Sequence, residues 1–77
     1  MDLKKLKDLF DNSKIIKIRV YSLDYTIFHD NEQVVIYPDL YPNKKYYFKN
    51  FNELLNKYKI YNENLKTIKD SIILIKE

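Results

Sequence analysis

Glycine is absent from all 77 residues of this chain, and that absence governs both how the backbone can turn and which chemistry it can carry. Positive φ normally falls to glycine, because any Cβ crowds the neighbouring carbonyl; Asn and Asp are the least penalised substitutes. Asn12 and the pair Asp30-Asn31 are the positions where that substitution is expected. The same absence removes the phosphate-cradling loop, the dinucleotide fingerprint and the usual nucleophile elbow.

Asp30-Asn31 separates two runs of alternating apolar character and predicts a two-residue hairpin turn with positive φ at both positions. The strands would cover 25–29 and 32–37, with Ile27 opposite Val34 and Phe28 opposite Gln33. Tyr25, Ile27, Val34 and Ile36 then share a face. Upstream, residues 14–21 alternate, with Ile16, Ile18 and Val20 on one side and Lys17, Arg19 and Tyr21 on the other. For Val20 to lie on the face of Ile27 the connection must have even length. A four-residue loop over 22–25 is expected, since a three-residue loop over 22–24 would mix the faces.

Residues 2–12 carry Leu3, Leu6 and Phe10 at helical spacing, with Leu9 beside them and Lys4, Lys5 and Asp8 facing out. Asn12 is placed to end that helix in the left-handed conformation. Pro38 and Pro42 make 37–44 a loop, and 45–48 can form a short fourth strand. Asn50 opens a second helix with Glu53 as its capping-box partner; Phe51, Leu54, Leu55 and Tyr58 fill its apolar stripe. From Asn64 onward Leu65, Ile68, Ile72 and Ile75 fit a third helix. The run Ile72-Ile73-Leu74-Ile75 fits a closing strand as well, and period alone does not choose. The expected fold is one α+β domain over 1–77. It is a small antiparallel meander of three to four strands, with an N-terminal helix and one or two C-terminal helices packed on one face.

So short a chain has little core volume, and it has no cysteine and a single histidine, His29, so neither a disulfide nor a typical zinc site can staple it. Ten Ile, nine Leu, eight Tyr and four Phe must supply the stability, or oligomerisation must. The preference for Ile, Asn, Lys and Tyr follows the codon bias of an AT-rich genome, which accounts for most of the lysine excess. The net charge of +3, from 14 basic and 11 acidic residues, serves solubility more than it marks nucleic acid. The N-terminal residues lack a secretory apolar stretch. The longest aliphatic run falls far short of the ~20 residues a membrane helix needs, and a cytoplasmic location is expected. His29 reads as a solvated residue at a hairpin end rather than a general base. Ser13, Ser22 and Ser71 fall where serine caps or turns, and no carboxylates have a spacing that compels a dyad. No catalytic residue, metal site or cofactor is expected.

The sheet face opposite the core would carry Lys17, Arg19, Tyr21, Phe28, Val35 and Tyr37. A further helix or a symmetry mate could cover it. Left open, it suits a protein interface, where Tyr, Phe and Arg are favoured. It could also stack bases and neutralise phosphates, with Lys49 joining Lys17 and Arg19. The loop bearing Tyr37, Pro38, Leu40, Tyr41 and Pro42 is a second, proline-stiffened candidate surface; the plainer expectation is that Leu40 and Tyr41 fold back to plug the core edge. The leading expectation is a non-catalytic protein-binding module using Lys17, Arg19, Tyr21, Phe28, Tyr37 and Tyr41. A short AT-rich chain without catalytic groups fits the habit of phage and mobile-element accessory proteins, many of which bind and inhibit a host enzyme complex such as a defence nuclease. The alternatives are a nucleic-acid-binding or regulatory protein and a structural homo-oligomer.

Overall fold

The structure, a computed structural model, describes residues 2–76. In chain order the elements are α1 (Leu3–Asn12), β1 (Ile15–Val20), β2 (Leu23–Asp30), β3 (Gln33–Pro38), β4 (Tyr46–Phe48), α2 (Phe51–Lys57), β5 (Lys59–Ile60), β6 (Glu63–Asn64), a 3₁₀ turn (Lys69–Ser71) and β7 (Ile72–Lys76). Five strands form one antiparallel sheet in the order β4-β3-β2-β1-β7, and β5 and β6 make a separate two-stranded ladder. The architecture is thus a small α+β arrangement: an N-terminal helix, a five-stranded antiparallel sheet and one further helix.

It exceeds the expected three to four strands by β7: of the two readings open for 72–75, a third helix or a closing strand, the chain takes the strand. Asn64 does start a helical turn: its Oδ1 accepts from the Thr67 amide and hydroxyl, both at 2.8 Å. The turn does not propagate. Ile68, Ile72, Ile73 and Ile75 are β-branched and stiff in a helix, and Ile72–Lys76 instead pairs with β1, burying Ile72.

Both hairpins of the meander close on two residues. Val20 pairs with Leu23, so Tyr21 and Ser22 form the first turn at φ 50° and 68°, in place of the expected four-residue loop. Asp30 pairs with Gln33, so the second turn is Asn31-Glu32, one residue later than Asp30-Asn31. Asn31 takes the positive φ, 57°. The expected pairs are displaced accordingly: Ile27 lies opposite Ile36 and Phe28 opposite Val35. Moving a turn by one residue moves each partner by two, so the faces survive the correction. A third two-residue turn, Tyr61-Asn62 (φ 52° and 65°), joins β5 to β6.

Helix α1 starts on Asp2, whose carboxylate accepts from the Lys4 amide at 3.0 Å. Asn12 does not adopt the left-handed conformation; it stays helical and its Nδ2 donates to the Asp8 carbonyl at 2.8 Å. Helix α2 is capped by Asn50, which accepts from the Glu53 amide at 2.8 Å. Glu53 reaches back to the Lys49 amide, 3.2 Å away, one residue before the cap. Leu6 and Phe10 of α1 and Phe51, Leu54 and Leu55 of α2 join Ile16, Ile18, Val20, Ile27 and Ile36 in one buried cluster, with Leu65, Ile68 and Ile72 closing it. Both helices therefore cover the same face of the sheet, and among the described residues the opposite face carries no helix.

Candidate functional site

Alternation along the strands builds that uncovered face as three rungs. The first runs Tyr47, Val35, Phe28, Ile15 across β4 to β1; the second is Tyr37, Thr26, Lys17; the third is Asp24, Arg19, Ile73, ending on β7. Val35 and Thr26, in the middle of the sheet, are fully buried although no helix covers this face among the described residues. The edges stay open: Ile15 is 46 %, Tyr47 51 % and Ile73 61 % exposed. The Phe28 ring meets Tyr37 edge-on at 6.2 Å, and the Lys45 ammonium lies 5.1 Å from the centre of the Tyr37 ring.

The cations of this face are already engaged. Lys17 Nζ donates to Asp39 Oδ2 at 2.8 Å, and Thr26 Oγ1 donates to Asp39 Oδ1 at 2.6 Å. The Asp39 amide donates to the Asp24 carbonyl at 2.9 Å, which draws the start of the 39–45 loop against β2. Arg19 grips the Asp24 carboxylate through Nε at 2.8 Å and Nη2 at 3.4 Å. Partial burial by itself would raise the Asp39 carboxyl; the hydrogen bonds from Lys17 and Thr26 outweigh it and hold the group below its ordinary value. The bond to Asp39 raises Lys17, and the bond to Asp24 raises Arg19. A phosphate arriving here would meet two cations whose charge a carboxylate already neutralises.

Of the residues expected to act together, Lys17, Arg19, Phe28 and Tyr37 do share the face. Tyr21 does not: it is drawn into the first turn, where its ring packs on Tyr61. Tyr41 and Leu40 stand outward, 57 % and 70 % exposed, and do not plug the core edge. Successive turns hold that loop open, with the Tyr41 amide bonded to the Pro38 carbonyl and the Lys44 amide to the Tyr41 carbonyl, each at 2.9 Å. Lys49 lies off the face, beside His29, Phe10 and Asn50. His29 is exposed, as expected at a hairpin end, but its ring also stacks on Phe10 at 4.1 Å.

Ile15, Tyr47 and Ile73 are the exposed apolar face residues that the sequence reading missed, and it missed Thr26 and Asp24 besides. Ile15 follows from the alternation that placed Lys17, whereas Ile73 follows only if 72–75 is read as a strand. Asp24 and Asp39 had no local signal, because their partners lie 5 and 22 residues away. Among the described residues no group of three or more His, Cys, Asp or Glu could hold a metal ion, and no helix is long and apolar enough to cross a membrane. Comparison with protein-family models, with curated proteins and with solved structures found no match to this chain.

Proposed function

We propose that the chain is a non-catalytic protein-binding module whose partner docks on the helix-free face of the five-stranded sheet. The observation that carries this reading is the combination of exposed Ile15, Tyr47 and Ile73 at the margins with charges that are neutralised within the face. Exposed apolar and aromatic groups around satisfied ion pairs suit a protein surface, where unpaired buried charge is costly. A molecule 28 × 28 × 22 Å across offers on one side an area on the order of the roughly 800 Å² per partner that a stable interface buries. The compositional expectation of a host enzyme complex, such as a defence nuclease blocked by binding, remains the partner class to test first. Nucleic acid is the weaker reading, because Lys17 and Arg19 are both paired.

The test is affinity capture with the wild-type chain beside a Tyr47→Glu/Ile73→Glu variant, both positions being exposed enough to leave the fold intact. A specific partner held by the wild type and lost from the variant is expected. Equal capture by both, or no specific partner, removes the reading. A second copy of the chain is the competing occupant, favoured by the exposure of Ile73 and Ile75 on end strand β7. Light scattering distinguishes it, since a dimer that Ile73→Glu dissociates would assign the face to self-association.

A further inference from the structure

A separate surface lies on the helix side of strand β4. Tyr46 and Phe48 pair with Ile36 and Val34, both core residues, so they project to the side opposite Tyr47. With Tyr58, which follows α2, they line a depression rimmed by Lys44, Lys57 and Lys59, and no carboxylate among the described residues lines it. The Tyr58 ring is held edge-on by Tyr46 at 5.6 Å and Phe48 at 6.3 Å, which fixes the floor. Strand β4 ends the sheet, so its outer edge has no strand partner among the described residues.

The charge here contrasts with that of the outer face. Lys44 and Lys59 form no ion pair among the described residues, and Lys57 approaches Glu53 only at 3.9 Å. Three exposed ammonium groups around an aromatic floor select an anionic ligand with an apolar element.

We propose that this groove binds an extended acidic peptide segment of a partner protein. The segment lies along the free edge of β4, its carboxylates at Lys44, Lys57 and Lys59 and an apolar side chain against Tyr46. A bare strand edge supplies the main-chain hydrogen bonds that an extended peptide uses. The lysines steer its charge and set the register. Single-stranded nucleic acid fits less well. Tyr46 alone, 52 % exposed, presents an open ring, while Tyr58 is buried and Phe48 half-buried. Successive bases need successive open ring faces.

The experiment selects peptides from a random displayed library on the full chain, then titrates the enriched sequences into labelled protein by NMR. The expected peptides are rich in Asp and Glu and shift the amide signals of Tyr46, Phe48 and Lys59. They should bind a Lys44→Glu/Lys59→Glu variant roughly tenfold more weakly, while that variant melts like the wild type and Ile73→Glu, at the opposite end of the sheet on β7, binds the peptides as the wild type does. Ile73→Glu separates this groove from the outer face. Selection without acidic enrichment, equal affinity for the double variant, or tighter saturation of the same signals by oligothymidine would overturn the proposal.

Discussion

The rings of Tyr21 and Tyr61 lie 5.6 Å apart, and each belongs to the first residue of a two-residue turn in which both residues have positive φ. The contact ties the β1–β2 hairpin to the small β5–β6 ladder. A bulky residue in the left-handed region is sterically disfavoured, by about 1–3 kcal/mol, whereas an aromatic pair contributes about 0.5–1.5 kcal/mol. The ring contact thus offsets only part of the backbone strain. Ser22, at φ 68°, carries the same strain with no ring contact. Ser22→Gly should therefore stabilise the chain by about 0.5–1 kcal/mol, while Tyr21→Gly relieves strain but forfeits the ring and comes out near neutral. Urea unfolding of both variants checks this; a destabilised Ser22→Gly would show that this turn is not strained.

At the second turn only Asn31 has positive φ. Asn31→Gly should be neutral or mildly stabilising, and Asn31→Val should cost on the order of 1–2 kcal/mol. Asp30 pairs with Gln33 inside the ladder, so Asp30→Val should change stability by less than about 0.5 kcal/mol. Thermal melts that penalise Asp30→Val as heavily as Asn31→Val would return the turn to Asp30-Asn31.

Side-chain alternation was legible here although the turns were not. Ile16, Ile18, Val20, Tyr25, Ile27, Val34 and Ile36 share a face under either placement, because parity is unchanged when a partner moves by an even number of residues, four at the first hairpin and two at the second. The first turn was hidden because Tyr21 and Ser22, neither of them Asn or Asp, take the positive φ there; at the second, Asn31 does take it, but as the first turn residue rather than the second. The outer-face ion pairs were hidden for another reason: Lys17 meets Asp39 only once two hairpins and the following loop are in place.

That pairing makes acid sensitivity a test. Unfolded Asp39 takes up its proton near the ordinary value of 3.8, and the folded group does so lower. Between those values the unfolded state binds more protons, so the contribution of the Lys17–Asp39–Thr26 group is present above the ordinary value and is lost as pH falls through the folded one. Asp39→Asn should lower the melting temperature at neutral pH yet lose less of it on acidification to about pH 2 than the wild type does. Thr26→Val should bring the Asp39 carboxyl back up. Parallel acid-limb slopes for wild type and Asp39→Asn would show that the pair adds nothing.

The alkaline limb reports on the groove floor. Burial pushes the Tyr58 phenol up to about 12 from an ordinary 10.0. Its neutral form is favoured in the fold, so the contribution is complete below pH 10.0 and is lost as pH rises towards the folded value. Lys17, raised by Asp39, loses its contribution above its own ordinary value on the same limb. The comparison is therefore between wild type and Tyr58→Phe, which keep Lys17 in common. Tyr58→Phe should hold its structure to higher pH. In the wild type, part of the tyrosinate absorbance should appear only together with unfolding, and that part should shrink in the variant.

Strand β7 gives the sharpest separation between helix and strand. Helical spacing would bury Ile72 and Ile75 together, whereas a strand turns Ile72 and Leu74 inward and Ile73 outward. Ile72 is 3 % exposed, Leu74 is half-buried against the core, and Ile73 and Ile75 are 61 % and 41 % exposed. Ile72→Ala should cost about 2–4 kcal/mol by leaving a cavity under the sheet. Ile73→Ala and Ile75→Ala should each cost under about 1 kcal/mol. Ile73→Lys should preserve the fold and reduce aggregation, because a charge on a bare edge strand discourages pairing with other chains. Urea midpoints for the alanine variants decide the matter: comparable losses at Ile72 and Ile75, with Ile73 silent, would restore the helical register and withdraw Ile73 from the proposed binding face.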